Sequence, residues 1–199
     1  VDADLVFEAE NYNSYSSTIW DYLCKETKTV EVRVINENKE VEIGENNADW
    51  NRYYLPVRAD HNYSITQQIY TAEELGIKES SQINSISFYA TWCNNNARNI
   101  DVYLVETDKE AFSTTTDFVN ILGTATPNYS GNVSGNVTFV NEGWTTISFT
   151  EPFTYEPGSN ILVCVNDKTG STAGAFEFGH YSTTEARSIV RYSSSNTPY

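Results

Sequence analysis

The chain has 199 residues and a mass of 22.4 kDa, of which 39% are hydrophobic and 14% aromatic, with 12 basic residues set against 27 acidic ones. That is enough apolar sequence for one large β-domain with a real core. A formal charge of −15 excludes nucleic acid as a partner, because phosphates demand Lys and Arg, and no apolar run reaches the roughly 20 residues of a membrane-spanning helix, so no membrane insertion is expected.

In chain order, the first clear elements are "TVEVRV" and "KEVEIG", which flank "INEN" and place Val30, Val32 and Val34 on one face with Glu31 and Arg33 on the other. This is the pattern of a β-hairpin with one wet face. An isolated hairpin is marginal in water. Residues 1–45 are therefore expected either to add strands to the domain at 46–199 or to close a preceding segment. "WNRYYLPV" and "YSITQQIY" follow as strands. "TAEELG" is the one helical signal, with Thr71 and Glu74 spaced as a capping box and Gly76 as a C-terminal stop. In "INSISFYAT" the inward set is Ile86, Phe88 and Ala90; in "RNIDVYLVE" it is Ile100, Val102 and Leu104. After "NVTFV" and "WTTISF", the run "NILVCVN" is apolar without alternation, which predicts a central strand covered on both faces. "AFEFGHY" and "RSIVRY" complete the series. Many short strands, regular turn signals and no crossover helices predict an all-β, two-sheet antiparallel sandwich of jelly-roll type with one short helical turn.

Between "SFYAT" and "RNIDVYLVE" the chain reads Trp92-Cys93-Asn94-Asn95-Asn96, and Asn is a turn former. A large aromatic at a turn is either a platform for a ligand or a lid folded over the end of the sandwich. Sugar rings present flat C–H faces that stack on such rings, and their hydroxyls bond to the amides of Asn94, Asn95 and Asn96 and to Arg98. Trp20, Tyr12 and Tyr15 add aromatics in the polar N-terminal segment, and Tyr129 adds one in the Gly/Asn loop "NYSGNVSGNVTF". Trp144 and Trp50 read as packing residues. N-x-S/T sequons stand at Asn62, Asn128, Asn132 and Asn136. Cys164 reads as a buried free thiol, and Cys24 and Cys93 can pair if the fold brings them together. His61 and His180 belong to no zinc or nucleophile motif, so catalysis is not expected. With no initiator Met and no signal peptide, the chain is expected to be a mature or excised piece of a longer one.

From about residue 50 onward the sequence resembles a jelly-roll module recurrent in large secreted and cell-surface proteins of Bacteroidetes. The matching pieces are "YYLPV", "YSITQQIYTAEELG", "INSISFYA", "RNIDVYLVETDKEAF", "GWTTISFTEPFTYEPGSNILVCVNDKTGS" and "ARSIVRYSSSNTPY". Those modules look akin to the adhesin-type β-sandwiches attached to secreted proteases and glycan-active enzymes. The resemblance implies a non-catalytic, secreted or cell-surface binding module joined to other domains of the same polypeptide, with a glycan or a cell-surface molecule as ligand. A spacer domain without a ligand, or a fragment of a secreted glycan-active enzyme or protease, are the alternatives. The family usually has a second acidic residue where this chain has Asn166.

The N-terminal "FEAENYNSYS" is similar to the opening of family 6 and family 35 carbohydrate-binding modules. That likeness implies a structural calcium held by Glu8 and Glu10, to which Asp167 would add an oxygen ligand.

Overall fold

The computed structural model describes residues 3–6, 19–23, 31–36, 39–44, 55–196 and 198, and the side chains from residue 40 onward. Its strands are β1 (Ala3–Val6), β2 (Ile19–Leu23), β3 (Glu31–Asn36), β4 (Lys39–Ile43), β5 (Tyr63–Tyr70), β6 (Ser81–Trp92), β7 (Ile100–Thr107), β8 (Tyr129–Ser130), β9 (Gly143–Tyr155), β10 (Asn160–Asp167), β11 (Glu177–Phe178) and β12 (Ser188–Ser193). Two single-turn helices, α1 (Ala72–Leu75) and α2 (Gly131–Ser134), interrupt them. Among the described residues the strands form two six-stranded sheets. One runs β1-β4-β3-β6, with β9 and β11 both paired to β6; the other runs β2-β12-β5-β10-β7-β8. The pairings are antiparallel apart from one parallel contact between β1 and β4. This is the antiparallel two-sheet sandwich that the strand periodicity predicts.

The N-terminal strands extend both sheets. β3 lies beside β6 with Val32 opposite Phe88 and Val34 opposite Ile86, and β2 lies beside β12 with Trp20 opposite Tyr192.

The core follows the period-two pattern. Ile86, Phe88 and Ala90 from β6 meet Ile100, Val102 and Leu104 from β7 and Ile161, Val163 and Val165 from β10 in one cluster between the sheets. Each fully buried aliphatic side chain here contributes about 1.5–3 kcal/mol relative to exposure. The unbroken apolar run of β10 has its reason on the other face. There Leu162 and Cys164 join Ile65, Ile69, Tyr103 and Ile189 under Phe112 and Ile121, which come from the long connection between β7 and β8. Gln67 ties that cover down: its side-chain amide donates to the Val119 carbonyl (2.6 Å) and accepts from the Val119 N–H (2.8 Å), as a neighbouring strand would.

Helix α1 is the turn that the capping box marks. The Thr71 hydroxyl accepts from the Glu74 N–H (3.3 Å), the Glu74 carboxylate accepts from the Thr71 N–H (3.0 Å), and Gly76 closes the turn at φ 61°. Glu74 also takes the Tyr181 hydroxyl (2.7 Å) and pairs with Arg187. Thr71→Ala is expected to cost about 1 kcal/mol in a denaturant titration and Thr71→Ser much less, because only the hydroxyl reaches the orphan N–H.

Burial pushes the Glu74 carboxyl upward, but the Thr71 N–H, the Tyr181 hydroxyl and Arg187 outweigh it and hold the group below its ordinary value. A carboxyl depressed in the folded state binds fewer protons there than in the unfolded chain. Its stabilisation is complete above the ordinary value of about 4.3 and is lost as pH falls through the depressed one. The stability difference between the wild type and Glu74→Gln should therefore be constant down to about pH 5 and shrink below it. A difference that stays level to pH 3 would show that Glu74 gains nothing from these partners.

Helix α2 was not legible. The Gly/Asn stretch reads as a flexible loop, yet a Cβ on Gly131 would lie 2.5 Å from Asn99 Oδ1 and 2.9 Å from the Ile100 backbone. Glycine is there for close approach to the start of β7, rather than for freedom.

Candidate functional site

Strand β6 ends at Trp92, where β11 pairs with it through Glu177, and the chain then turns back over the end of the sandwich. The turn is locally made and externally tied. Asn94 Oδ1 accepts from the Asn96 N–H (3.0 Å), closing an Asx turn, while its Nδ2 donates to the Ala173 carbonyl. The Cys93 N–H donates to Asn141 Oδ1 (2.8 Å) and its thiol to the Phe139 carbonyl (3.3 Å). Arg98 and Val137 exchange both backbone hydrogen bonds, at 2.7 and 2.8 Å. The Ala173 N–H donates to the Ala59 carbonyl (2.7 Å) and the Gly170 N–H to the Asn62 carbonyl (2.9 Å). Segments 59–62, 93–99, 137–141 and 168–173 thus form one knitted end.

Its centre is an ion pair. Arg98, 1% exposed, donates from Nε (3.0 Å) and Nη2 (2.6 Å) to one oxygen of Asp167, which is 0% exposed. Nη1 reaches the Ser171 carbonyl (2.8 Å) and Nη2 the His61 carbonyl (3.4 Å). The other Asp167 oxygen accepts from the Thr169 N–H (3.0 Å) and hydroxyl (2.5 Å).

This geometry bears on three of the expected site residues. Arg98 does not face a ligand. Its planar fork of donors is spent on one carboxylate and two loop carbonyls, a task for which a guanidinium is suited. Tyr129 is buried in the main core, and its hydroxyl donates to the Gly135 carbonyl (2.6 Å) beneath α2. Asp167 does not suit a calcium ion, since both of its oxygens are filled from within the protein. Among the described residues no group of three or more His, Cys, Asp or Glu is placed to hold a metal. Glu8 and Glu10, the other expected ligands, lie outside the described residues, as do Tyr12, Tyr15, Cys24 and Trp50 and the side chain of Trp20.

Trp92, at the end of β6, is 47% exposed. Asn95 and Asn96 beside it are exposed, and Asn94 is half-buried. Sequence reasoning missed another exposed apolar residue of the knitted end, Val140, 51% exposed, which lies between the two residues that bond to Cys93. The signal was in "NVTFV": Val137 and Phe139 point inward, so Val140 must point out. Trp144 is half-buried and meets Tyr89 edge-on at 5.5 Å, in keeping with a packing role.

Cys93 and Cys164 are both free and buried. His61 faces Asp60 (3.2 Å) and the Tyr192 ring (4.3 Å), and His180 is buried with Nδ1 3.3 Å from the Phe178 carbonyl. Of the sequons, Asn128 is not open to a glycan in the folded chain. Its amide donates to the Glu151 carbonyl (2.8 Å) and accepts from the Leu104 N–H (2.8 Å). A separate cleft of about 300 Å³ lies on the outer face of the second sheet, lined in part by Ile65, Phe118, Leu122 and Arg191.

No family model, curated protein or solved structure matches the chain.

Proposed function

We propose that this chain is a non-catalytic, extracellular binding module of a larger polypeptide, and that it holds a carbohydrate against the exposed ring of Trp92. The observation that supports this reading is a half-exposed tryptophan on a turn whose neighbours are fixed by hydrogen bonds. A fully exposed Trp presents 150–250 Å², so roughly 100 Å² of ring remains to be covered, worth about 2.5 kcal/mol on stacking a sugar face. Because the turn is already ordered, a ligand does not bear the cost of ordering it. The open amides of Asn95 and Asn96 both donate and accept, which matches sugar hydroxyls.

The burial of Arg98 and Tyr129 favours a second reading, a spacer domain without a ligand, because it removes two of the expected contacts. A glycan array probed with the intact chain separates the two. Retention on a coherent class of glycans supports the module, and a blank array supports the spacer.

A further inference from the structure

We infer that the Arg98–Asp167 pair is an acid-opened clamp on the loops that carry Trp92, so that the site lets go of its ligand when its surroundings turn acidic. What this says of the ligand rests on the carbohydrate reading above, whereas the clamp can be read without a sugar.

The pair joins three loops through one carboxylate. Arg98 stands on the 93–99 turn, and its guanidinium reaches Asp167 at 2.6 Å, the Ser171 carbonyl at 2.8 Å and the His61 carbonyl at 3.4 Å. Asp167 in turn holds the N–H and the hydroxyl of Thr169. From there the tie runs to the tryptophan. Ala173, two residues beyond Ser171, takes the Asn94 amide, and Asn94 shapes the turn that follows Trp92. Backbone bonds from Gly170 to Asn62 and from Ala173 to Ala59 also link these loops, and they do not titrate.

A guanidinium keeps its charge at every pH in which the protein is folded, whereas a carboxylate does not. Burial pushes the Asp167 carboxyl above its ordinary value, and Arg98 and Thr169 pull it down without cancelling that rise. Once protonated, Asp167 no longer offsets Arg98. A charge at 1% exposure with only carbonyls for partners is unfavourable. A side chain two residues from the exposed Asn96 has a way out: it swings to water and drops the Ser171 and His61 carbonyls as it goes.

The sign of the linkage keeps this opening local. A carboxyl raised in the folded state takes up its proton there at a higher pH than in the unfolded chain, so stability rises as pH drops through that interval. The sandwich stays folded while its end loosens. The titratable neighbours on the packed loops have their own contacts. Asp60 faces Arg58 and His61, Lys168 pairs with Asp101, the Cys93 thiol meets the Phe139 carbonyl, and the Tyr63 hydroxyl lies beside Gly170.

The test follows the Arg98 Nε–H and Trp92 indole N–H signals of the intact chain by NMR, without sugar, from about pH 7 down to about 3.9, the ordinary carboxyl value. The bonded Nε–H signal should fade and the indole signal shift with one shared midpoint, while the amides of β6 and β10 hold their positions. Asp167→Asn, which carries no charge at any pH, should show the open signals throughout, and His61→Gln should titrate like wild type. Over the same range the affinity of wild type for a glycan chosen from the array should fall about tenfold, the loss expected when the closed clamp is populated about one time in ten. Wild-type signals that hold still, or a response that survives Asp167→Asn or vanishes in His61→Gln, would overturn the clamp; if Asp167→Asn does not fold, wild type and His61→Gln decide. A clamp that opens while glycan affinity stays level overturns the inference and leaves the carbohydrate reading standing. If no glycan binds at neutral pH, the carbohydrate reading falls and takes the release of ligand with it.

Discussion

Arg98→Ala is expected to destabilise the protein by about 3–5 kcal/mol, the usual cost of stripping one partner from a buried ion pair. The substitution leaves Asp167 fully buried with no counter-charge and takes the donors from the Ser171 and His61 carbonyls. For a chain of this size each kcal/mol corresponds to about 2–4 °C, so Tm should fall by roughly 10–15 °C. Arg98→Lys should recover part of the loss, because one ammonium can meet the carboxylate but cannot also reach both carbonyls. Replacing both partners by apolar residues of similar volume should cost less than Arg98→Ala alone. A loss under about 1 kcal/mol for Arg98→Ala, measured by denaturant titration, would mean that this pair does not hold the loops together.

Trp92→Ala should do the opposite. At 47% exposure the ring contributes little to the core, so the expected stability change is under about 1 kcal/mol. The affinity for a glycan chosen from the array should fall by about 50-fold or more, since the roughly 2.5 kcal/mol of stacking area disappears with the ring. Trp144→Ala supplies the contrast. Its ring is half-buried and packed edge-on against Tyr89, so it should lower stability while leaving affinity nearly unchanged. If Trp92→Ala instead costs 3–5 kcal/mol and leaves binding intact, the ring is a lid.

The two variants also mark where sequence reading succeeds and where it stops. Local patterns carried through. The alternation in β6 and β7 placed Ile86, Phe88, Ala90, Ile100, Val102 and Leu104 in the core, the unbroken run in β10 marked a strand with two covered faces, and Thr71, Glu74 and Gly76 marked α1. Each of those signals depends on residues two to four positions apart. The fate of Arg98 depends on Asp167, 69 residues away, and nothing in the neighbourhood of either shows that they meet. A charged residue in an Asn-rich turn reads as exposed, because burial of charge is rare unless a partner is supplied from elsewhere. The burial of Tyr129 is hidden from the sequence in the same way. The Gly/Asn stretch around it reads as a flexible loop leading into a strand, but Gly131 packs against β7 and the Tyr129 hydroxyl donates to the Gly135 carbonyl. The aromatic at the turn is legible at Trp92, but the bonds from Asn141 and Ala173 that fix the turn around it are not, because they come from residues 48 and 79 positions away from their partners.

The sharpest measurement is a 15N-resolved NMR titration of the tryptophan indole N–H signals, with the Trp92 signal assigned from its loss in Trp92→Phe. The chain has 4 tryptophans, so each ring reports on its own surroundings. On adding a neutral glycan that the chain retains, the Trp92 signal should shift in a saturable way while that of Trp144 holds still. A saturable shift at Trp144 with Trp92 unmoved, for a glycan that demonstrably binds, would place the ligand elsewhere on the molecule and contradict the assignment of the site.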